Sequence, residues 1–349
     1  MKRKCVVING KFLSQKVTGV QRYAREVLKE LDKIADNGIE IVLFADKNAE
    51  DIPAFRHIKV VISGTFTGNL WEQITLPLYV LRHGGLCVSL CNMAPVLTPH
   101  IVVIHDVSFR VNRSFFSKKF SRWYNFVFSL VIRHIKTIVT VSEFSRNEIS
   151  RCYGINREKI TVTYNGWQHM ENIRADASAL KKYGLSEKKY FFAMSSLAPN
   201  KNFIWIAEAA RRNPGADFAV SGAINKKVFG DIFDFEVPKN LKFLGYVSDE
   251  EAKALMIHCR AFLFPTFYEG FGIPPLEALC VGAKTVVSDA SCMREIFGDT
   301  VYYIDPGNSD VDLDELIKEK PENVSEFLKK YSWHSSAKIL LEIIKKFQD

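Results

Sequence analysis

Ala261-Phe-Leu-Phe-Pro-Thr-Phe-Tyr-Glu-Gly-Phe-Gly-Ile-Pro-Pro-Leu-Glu277 reads as a short buried strand, a turn and the opening of a helix. Gly270 and Gly272 let the backbone come close to a ligand. Pro274 and Pro275 suit the first helical positions, where a missing N–H costs nothing. A helix start offers free N–H groups and a partial positive charge of about half a unit, which makes it an anion site. Two carboxylates flank this turn: Glu277 is expected in the first turn of the helix and Glu269 on the loop before it. Acceptors beside an anion site suit a ligand whose many hydroxyls are joined to a phosphate, and a nucleotide sugar is such a ligand.

The same strand-then-helix unit recurs outward in both directions. Apolar runs stand at Cys5–Ile8, Ile39–Phe44, Ile58–Ile62, Leu86–Leu90, Ile101–His105, Ile138–Val141 and Ile160–Thr163. Further runs follow at Tyr190–Met194, Phe218–Ser221, Leu241–Leu244, Ala261–Phe264, Thr285–Ser288 and Val301–Ile304. Runs that are continuous rather than alternating indicate strands covered on both faces, hence parallel sheets flanked by helices. Candidate helices include Val20–Ala35, Asn202–Arg212, Asp249–His258 and Pro275–Val281, and Ser248-Asp-Glu-Glu251 has capping-box form. The fold class is therefore α/β, with two facing doubly wound, Rossmann-like domains that leave a cleft between them. The expected division is 1–167, a polar linker at 168–188, a second domain at 189–330, and a final helix near Trp333–Phe347 that fits either domain. Neither half has a G-x-G-x-x-G after its first strand, which counts against a dinucleotide cofactor.

At 349 residues, two ordinary domains are expected, each able to bury its own core. The composition, 47% hydrophobic and 25% charged, is that of a soluble globular enzyme. No apolar run approaches the roughly 20 residues of a membrane span, and the apolar stretch after Met1 is too short for a signal peptide. Seven cysteines without a C-x-x-C pair argue against a zinc site or a disulfide framework and for a reducing cytoplasm. The net charge of +8 fits nucleic acid, anionic lipid or a phosphate-bearing substrate, so its distribution has to decide.

Several motifs, in order and spacing, give the chain its closest likeness. They are Thr18-Gly-Val-Gln-Arg-Tyr23, Val103-Ile-His-Asp106, Thr140-Val-Ser-Glu-Phe-Ser145, Tyr164-Asn-Gly166 and Asn200-Lys-Asn202. Phe243-Leu-Gly-Tyr-Val247 and Pro265-Thr-Phe-Tyr-Glu-Gly-Phe-Gly272 with Glu277 complete the set. Over most of its length the chain resembles a family 4 retaining glycosyltransferase of GT-B architecture, of the type that builds bacterial polysaccharide and O-antigen. The resemblance implies transfer of a hexose or N-acetylhexosamine from a UDP- or GDP-linked donor, with retention of anomeric configuration. It implies no cofactor beyond the nucleotide-sugar substrate and no bound metal.

The resemblance also distributes roles. Lys201 takes the charge that builds on the departing diphosphate, as an ammonium beside helix N–H groups can. The family usually has Arg-Lys-Asn here, and this chain has Asn200-Lys201-Asn202. Either Lys226 and Lys227 replace the lost arginine or leaving-group stabilisation is weaker. Gly19 lets the first βα loop close over the donor phosphates. His105, at a strand's carboxyl end, hydrogen-bonds the transferred sugar, and Asp106 supports it or serves the acceptor. Glu269 meets the sugar hydroxyls near the anomeric carbon through a front-side route rather than as a covalent nucleophile. Glu277 accepts from the ribose, Gly245, Tyr246 and Val247 hold the base, and Gly270, Phe271 and Gly272 line the donor turn. Ser142, Glu143 and Asn165 either line the cleft or cap local structure.

Arg110 to Lys136 interleaves cations with aromatics: Arg110, Arg113, Lys118, Lys119 and Arg122 with Phe115, Phe116, Phe120, Trp123 and Tyr124. Interfacial segments have this composition, and each cation near an anionic lipid surface is worth about 1 kcal/mol. The other reading of Phe126–Ile135 is a core helix with a charged outer face. No nucleic-acid module is recognisable. With the resemblance, the favoured picture is a peripheral enzyme on the inner face of the cytoplasmic membrane, extending a saccharide carried on polyprenyl diphosphate. A soluble glucan or small-molecule acceptor, a sugar-nucleotide epimerase of the same architecture and a non-catalytic carbohydrate-binding or scaffold role are the alternatives.

Overall fold

The computed structural model describes residues 5–35, 38–83, 85–112, 118–195, 198–222, 237–318, 321 and 323–347, the side chains of 118–121 and 123 excepted. The chain divides into two compact units, Met1–Gly166 with Ser332–Asp349, and Trp167–Tyr331. Each is built on one sheet of parallel strands.

The first unit holds β1 (Cys5–Asn9), β2 (Glu40–Ala45), β3 (Ile58–Ile62), β4 (Leu86–Ser89), β5 (His100–Ile104), β6 (Ile135–Thr140) and β7 (Ile160–Val162). Their order is β3-β2-β1-β4-β5-β6-β7, every neighbouring pair parallel. β1 is buried along its whole length, as a strand covered on both faces must be. The order reverses between β1 and β4, the point at which an open α/β sheet presents its ligand-contacting groups.

Four helices of this unit matter for the site. α1 (Gly19–Ile34) joins β1 to β2. α2 is one helix in three pieces, Gly68–Leu70, a π-turn at Trp71–Thr75 and Leu76–His83. α3 (Lys118–Ile132) sends Phe128 and Val131 into a core shared with Val102, Ile104 and Ile138. α4 (Glu143–Tyr153) starts at Ser142, whose Oγ accepts from Ser145 N at 3.0 Å. The final helix, Trp333–Lys346, belongs with this unit: the Trp333 ring lies edge-on to Tyr23 at 6.0 Å, and Ser336 Oγ donates to the Tyr164 carbonyl.

The second unit holds β8 (Tyr190–Met194), β9 (Asp217–Ser221), β10 (Leu241–Gly245), β11 (Ala261–Phe264), β12 (Thr285–Ser288) and β13 (Tyr302–Ile304). The order is β10-β9-β8-β11-β12-β13, all parallel, with the reversal between β8 and β11. Phe191, Phe218, Leu263 and Val286 from the sheet pack with Phe203, Ile206 and Ala209 of α5 (Phe203–Arg212). A fully buried Phe side chain of this kind contributes about 1.5–3 kcal/mol. α6 (Asp249–His258) begins with the capping box read from sequence, Ser248 N donating to Glu251 Oε2 at 3.1 Å and Glu251 N to Ser248 Oγ at 3.2 Å.

The segment 168–188 differs from the expected linker. Its residues group with the second unit, and Gln168–Asn172 forms a 3-10 helix with His169 and Met170 buried. Lys253 of α6 donates from Nζ to the carbonyls of Met170 (2.6 Å) and Ile173 (2.8 Å). The sequence looks polar because most of its charged side chains, Glu171, Arg174, Lys181 and Glu187 among them, are exposed, while His169 and Met170 anchor it to the unit.

Candidate active-site residues

In the second unit, the carboxyl edge of β8 and β11 carries the principal charges. Lys201 stands in a short turn, Pro199–Lys201, ahead of α5. Its Nζ lies 2.5 Å from Glu269 Oε1, the side chains 21% and 13% exposed. Glu269 is set by its own backbone, whose N–H donates to Ser291 Oγ at 3.2 Å. Asn202 ties the two loops together: its Nδ2 donates to the carbonyls of Pro265 (2.9 Å) and Pro306 (2.8 Å). Asn200, where the family's arginine is expected, directs its amide toward the Tyr268 carbonyl at 3.5 Å, and its own carbonyl accepts from Phe267 N at 2.9 Å. That position therefore fixes the Glu269 loop. Lys226 and Lys227 lie outside the described residues.

α7 (Ile273–Cys280) starts directly after Gly272, whose φ of 97° suits glycine. A Cβ there would also press within 3.1 Å of Met293 Cε. The helix thus begins before Pro275, and Glu277 falls in its second turn rather than its first, which has no acid. Glu277 is not acting on the helix terminus. It accepts from His169 Nε2 at 2.8 Å, both side chains buried. Phe271 turns its ring into the core against Tyr331, so the turn offers a ligand the backbone of Gly270–Gly272. Gly245 ends β10 with φ 70°, Tyr246 beside it is 70% exposed and Val247 is buried.

In the first unit, His105 follows β5. Its Nε2 lies 2.9 Å from the Leu90 carbonyl, which can only accept, so Nε2 carries the proton. Burial pushes the ring's pKa below its ordinary value, outweighing the Leu90 carbonyl and Asp106, which act the other way. The ring is then neutral near pH 7, and Nδ1 is a lone-pair acceptor with no hydrogen bond among the described residues. Asn92 Oδ1 accepts from His105 N at 2.7 Å, and the Tyr23 ring stands edge-on at 4.9 Å. Asp106 caps the next turn through Ser108 N at 2.8 Å. Gly19 is the exposed first residue of α1.

Three of the five non-glycine residues with positive φ among the described residues, Asn92, Asn202 and Ser291, are those that hold His105, Lys201 and Glu269 in place. Left-handed backbone at non-glycine positions collects where structure around a site over-determines it.

Other expected residues are engaged in the fold. Ser142 caps α4, and Glu143 pairs with Arg146 (3.0 Å) and Arg157 (3.3 Å). Asn165 is buried, its Oδ1 without a hydrogen-bond partner among the described residues. Arg110 donates to Asn125 Oδ1 at 3.2 Å and lies 4.7 Å over the Tyr153 ring, a packing position within the unit. Arg122 and Phe126 of α3 are exposed. Arg113, Phe115 and Phe116 lie outside the described residues, as do the side chains of Lys118, Lys119 and Trp123.

Two groups escaped the sequence reading. One is His169, a lone histidine in a polar segment. The other is Glu72, on the π-turn, which takes Lys11 Nζ at 2.5 Å and Asn9 Nδ2 at 2.7 Å where the first sheet's order reverses. A glutamate directly after the apolar Trp71, in Trp71-Glu-Gln-Ile-Thr-Leu76, was the available signal. Among the described residues, no helix is long and apolar enough to cross a membrane.

Comparison with known proteins places these features. Residues 17–168 match the model of Glycosyltransferase Family 4, and residues 177–331 match that of Glycosyl transferases group 1. The chain is 24% identical over 336 residues to the O-antigen chain mannosyltransferase RfbU of Salmonella typhimurium, covering 86% of this chain and 87% of that one. It is 28% identical over 221 residues to the O-antigen chain mannosyltransferase B of Escherichia coli, covering 60% and 58%. Among solved structures, sucrose-phosphate synthase from Thermosynechococcus elongatus shares the fold, with a TM-score of 0.76 at 14% identity over 99% of both chains.

Proposed function

We propose that this chain, which belongs to the GT-B glycosyltransferases that join a family 4 segment to a group 1 segment, transfers mannose from a nucleotide donor to a lipid-linked saccharide. The sugar is suggested by the mannosyltransferases it resembles. The acceptor is a saccharide on polyprenyl diphosphate, met at the inner face of the cytoplasmic membrane, in the assembly of a surface polysaccharide.

The observation that carries the reading is the Lys201–Glu269 pair beside the Gly270–Gly272 turn on the second sheet's carboxyl edge. In the ligand-free protein the two charges neutralise one another. A donor diphosphate competes for the ammonium, which frees the carboxylate for the sugar's hydroxyls. Charge building on the leaving phosphate is then met by Lys201. Retention follows a front-side route in which that phosphate helps remove the acceptor's proton, and no metal takes part.

Thermal-shift and transfer assays with GDP-mannose and with UDP-linked hexoses test the donor, and activity in EDTA tests the metal. Glu269→Ala cuts turnover far more than nucleotide affinity, whereas Glu277→Ala weakens donor binding. Wild-type kinetics in either variant refute the site. Co-sedimentation with anionic liposomes at low salt tests the membrane; failure there turns the reading to a soluble acceptor.

A further inference from the structure

We propose that His169 is a positioning residue for the ribose: it holds Glu277 in the orientation that accepts the nucleotide's 2′- and 3′-hydroxyls. The inference rests on the donor-site reading above, which gives Glu277 to the ribose.

A glutamate side chain loses up to about 2 kcal/mol of rotamer freedom when fixed. A carboxylate that must meet two adjacent hydroxyls is useful only if its plane is set beforehand. Here one oxygen is already set. Glu277 Oε1 takes the His169 Nε2–H at 2.8 Å, the side chains 9% and 3% exposed. Oε2 makes no hydrogen bond among the described residues, which leaves that atom and the second lone pair of Oε1 for a ligand.

His169 is in turn held on several sides. The 3-10 helix that carries it is clamped by Lys253 at Met170 and Ile173. Gln168 Nε2 donates to the Tyr331 carbonyl at 2.9 Å, and Trp167 Nε1 to the Leu328 carbonyl at 3.0 Å. A short segment 108 residues away in sequence is thus fastened to deliver one N–H to one carboxylate. A buried imidazole–carboxylate contact is weak support for stability taken alone, because both partners lose water to make it. Orienting a binding group is what it does well, as outer partners do for metal ligands.

The test is calorimetric titration of GDP (or UDP, whichever the wild type prefers) and of its 2′,3′-dideoxy counterpart. The variants are His169→Phe, which keeps the ring's bulk without the N–H, and His169→Gln, which restores a donor. Should His169→Phe fail to fold, His169→Ala takes its place. Wild type is expected to favour the ribonucleotide by about tenfold or more, the scale of a lost hydrogen bond to a charged group. His169→Phe weakens ribonucleotide binding by about that factor, leaves the dideoxy form within roughly twofold, and changes KM rather than kcat. His169→Gln recovers most of the preference.

Equal loss for both nucleotides in His169→Phe would show a merely structural role and overturn the proposal. So would an undiminished ribose preference. A wild type that does not distinguish the two nucleotides would instead remove Glu277 from the ribose, and the donor-site reading would fail with it.

Discussion

Glu72→Ala is expected to cost the first unit more than any surface change, and the structure gives the size. The carboxylate is 2% exposed and the Lys11 side chain 12%. Oε2 takes the ammonium at 2.5 Å and Oε1 takes Asn9 Nδ2 at 2.7 Å. Removing the acid leaves the largely buried Lys11 ammonium with Asn69 Oδ1 at 3.0 Å in place of a carboxylate. Stranding one member of a buried pair costs about 3–5 kcal/mol. For a unit of this size, each kcal/mol lowers the melting temperature by about 2–4 °C, so a fall on the order of 10 °C is expected.

Lys11→Met strands the carboxylate and is expected to cost a similar amount. The double change Lys11→Met, Glu72→Gln removes both charges while the amide oxygen still accepts from Asn9. It should therefore recover much of the loss and, with the single Glu72→Gln change closing the double-mutant cycle, give a coupling energy of about 2 kcal/mol or more. Because the pair is buried, raising KCl from about 0.05 to 0.5 M should leave the difference standing. The assay is thermal unfolding followed by far-UV circular dichroism. A Glu72→Ala protein melting within about 2 °C of wild type, or strictly additive single and double changes, would refute the reasoning.

Three further outcomes are expected. Lys201→Ala should lower kcat about 100-fold, roughly 3 kcal/mol of leaving-group stabilisation, as measured in initial-rate transfer assays; an unchanged rate moves that role elsewhere. Asp32 feels burial that raises its pKa, but backbone N–H groups of Arg56, His57 and Ile58 outweigh it and hold the carboxyl below the usual range. A depressed folded pKa stabilises above the unfolded value of about 3.9 and loses that contribution as pH falls through the folded value. The Asp32→Asn deficit in urea unfolding should therefore be full at pH 7 and shrink below about pH 4. Burial pushes the thiols of Cys87 and Cys259 up to about 12, so native protein treated with iodoacetamide at pH 8 should show neither alkylated by mass spectrometry.

The strands were legible because burial on both faces leaves one kind of sequence. Val6, Val7 and Ile8 of β1, or Phe262, Leu263 and Phe264 of β11, have no polar alternation to blur the run. The helix from Gly68 to His83 was harder to read, since Pro77 and the buried Glu72 interrupt its apolar face and a π-turn shifts its period. Lys201 and Glu269 were each nominated from local context, a cation and an acid beside helix starts. That they meet at 2.5 Å is a consequence of β8 and β11 lying side by side, which no local pattern states.

His169 shows the same limit from the other side. Its neighbours in sequence, Trp167, Gln168 and Glu171, look like a solvated connector, and only the fold reveals that the segment is pinned at both edges. Glu277 was expected at the helix terminus, and the structure gives it a different setting. α7 begins two residues earlier than expected, at Ile273 rather than Pro275, which moves the acid from the first turn into the second, where it meets an imidazole. Its usefulness to a ligand then rests on side-chain geometry rather than on the helix dipole, which fades within the first turn. The consequence can be measured. If the dipole governed this site, His169→Phe would bind nucleotide as tightly as wild type, and added salt would loosen both together. If the imidazole does, the gap between them persists at high ionic strength.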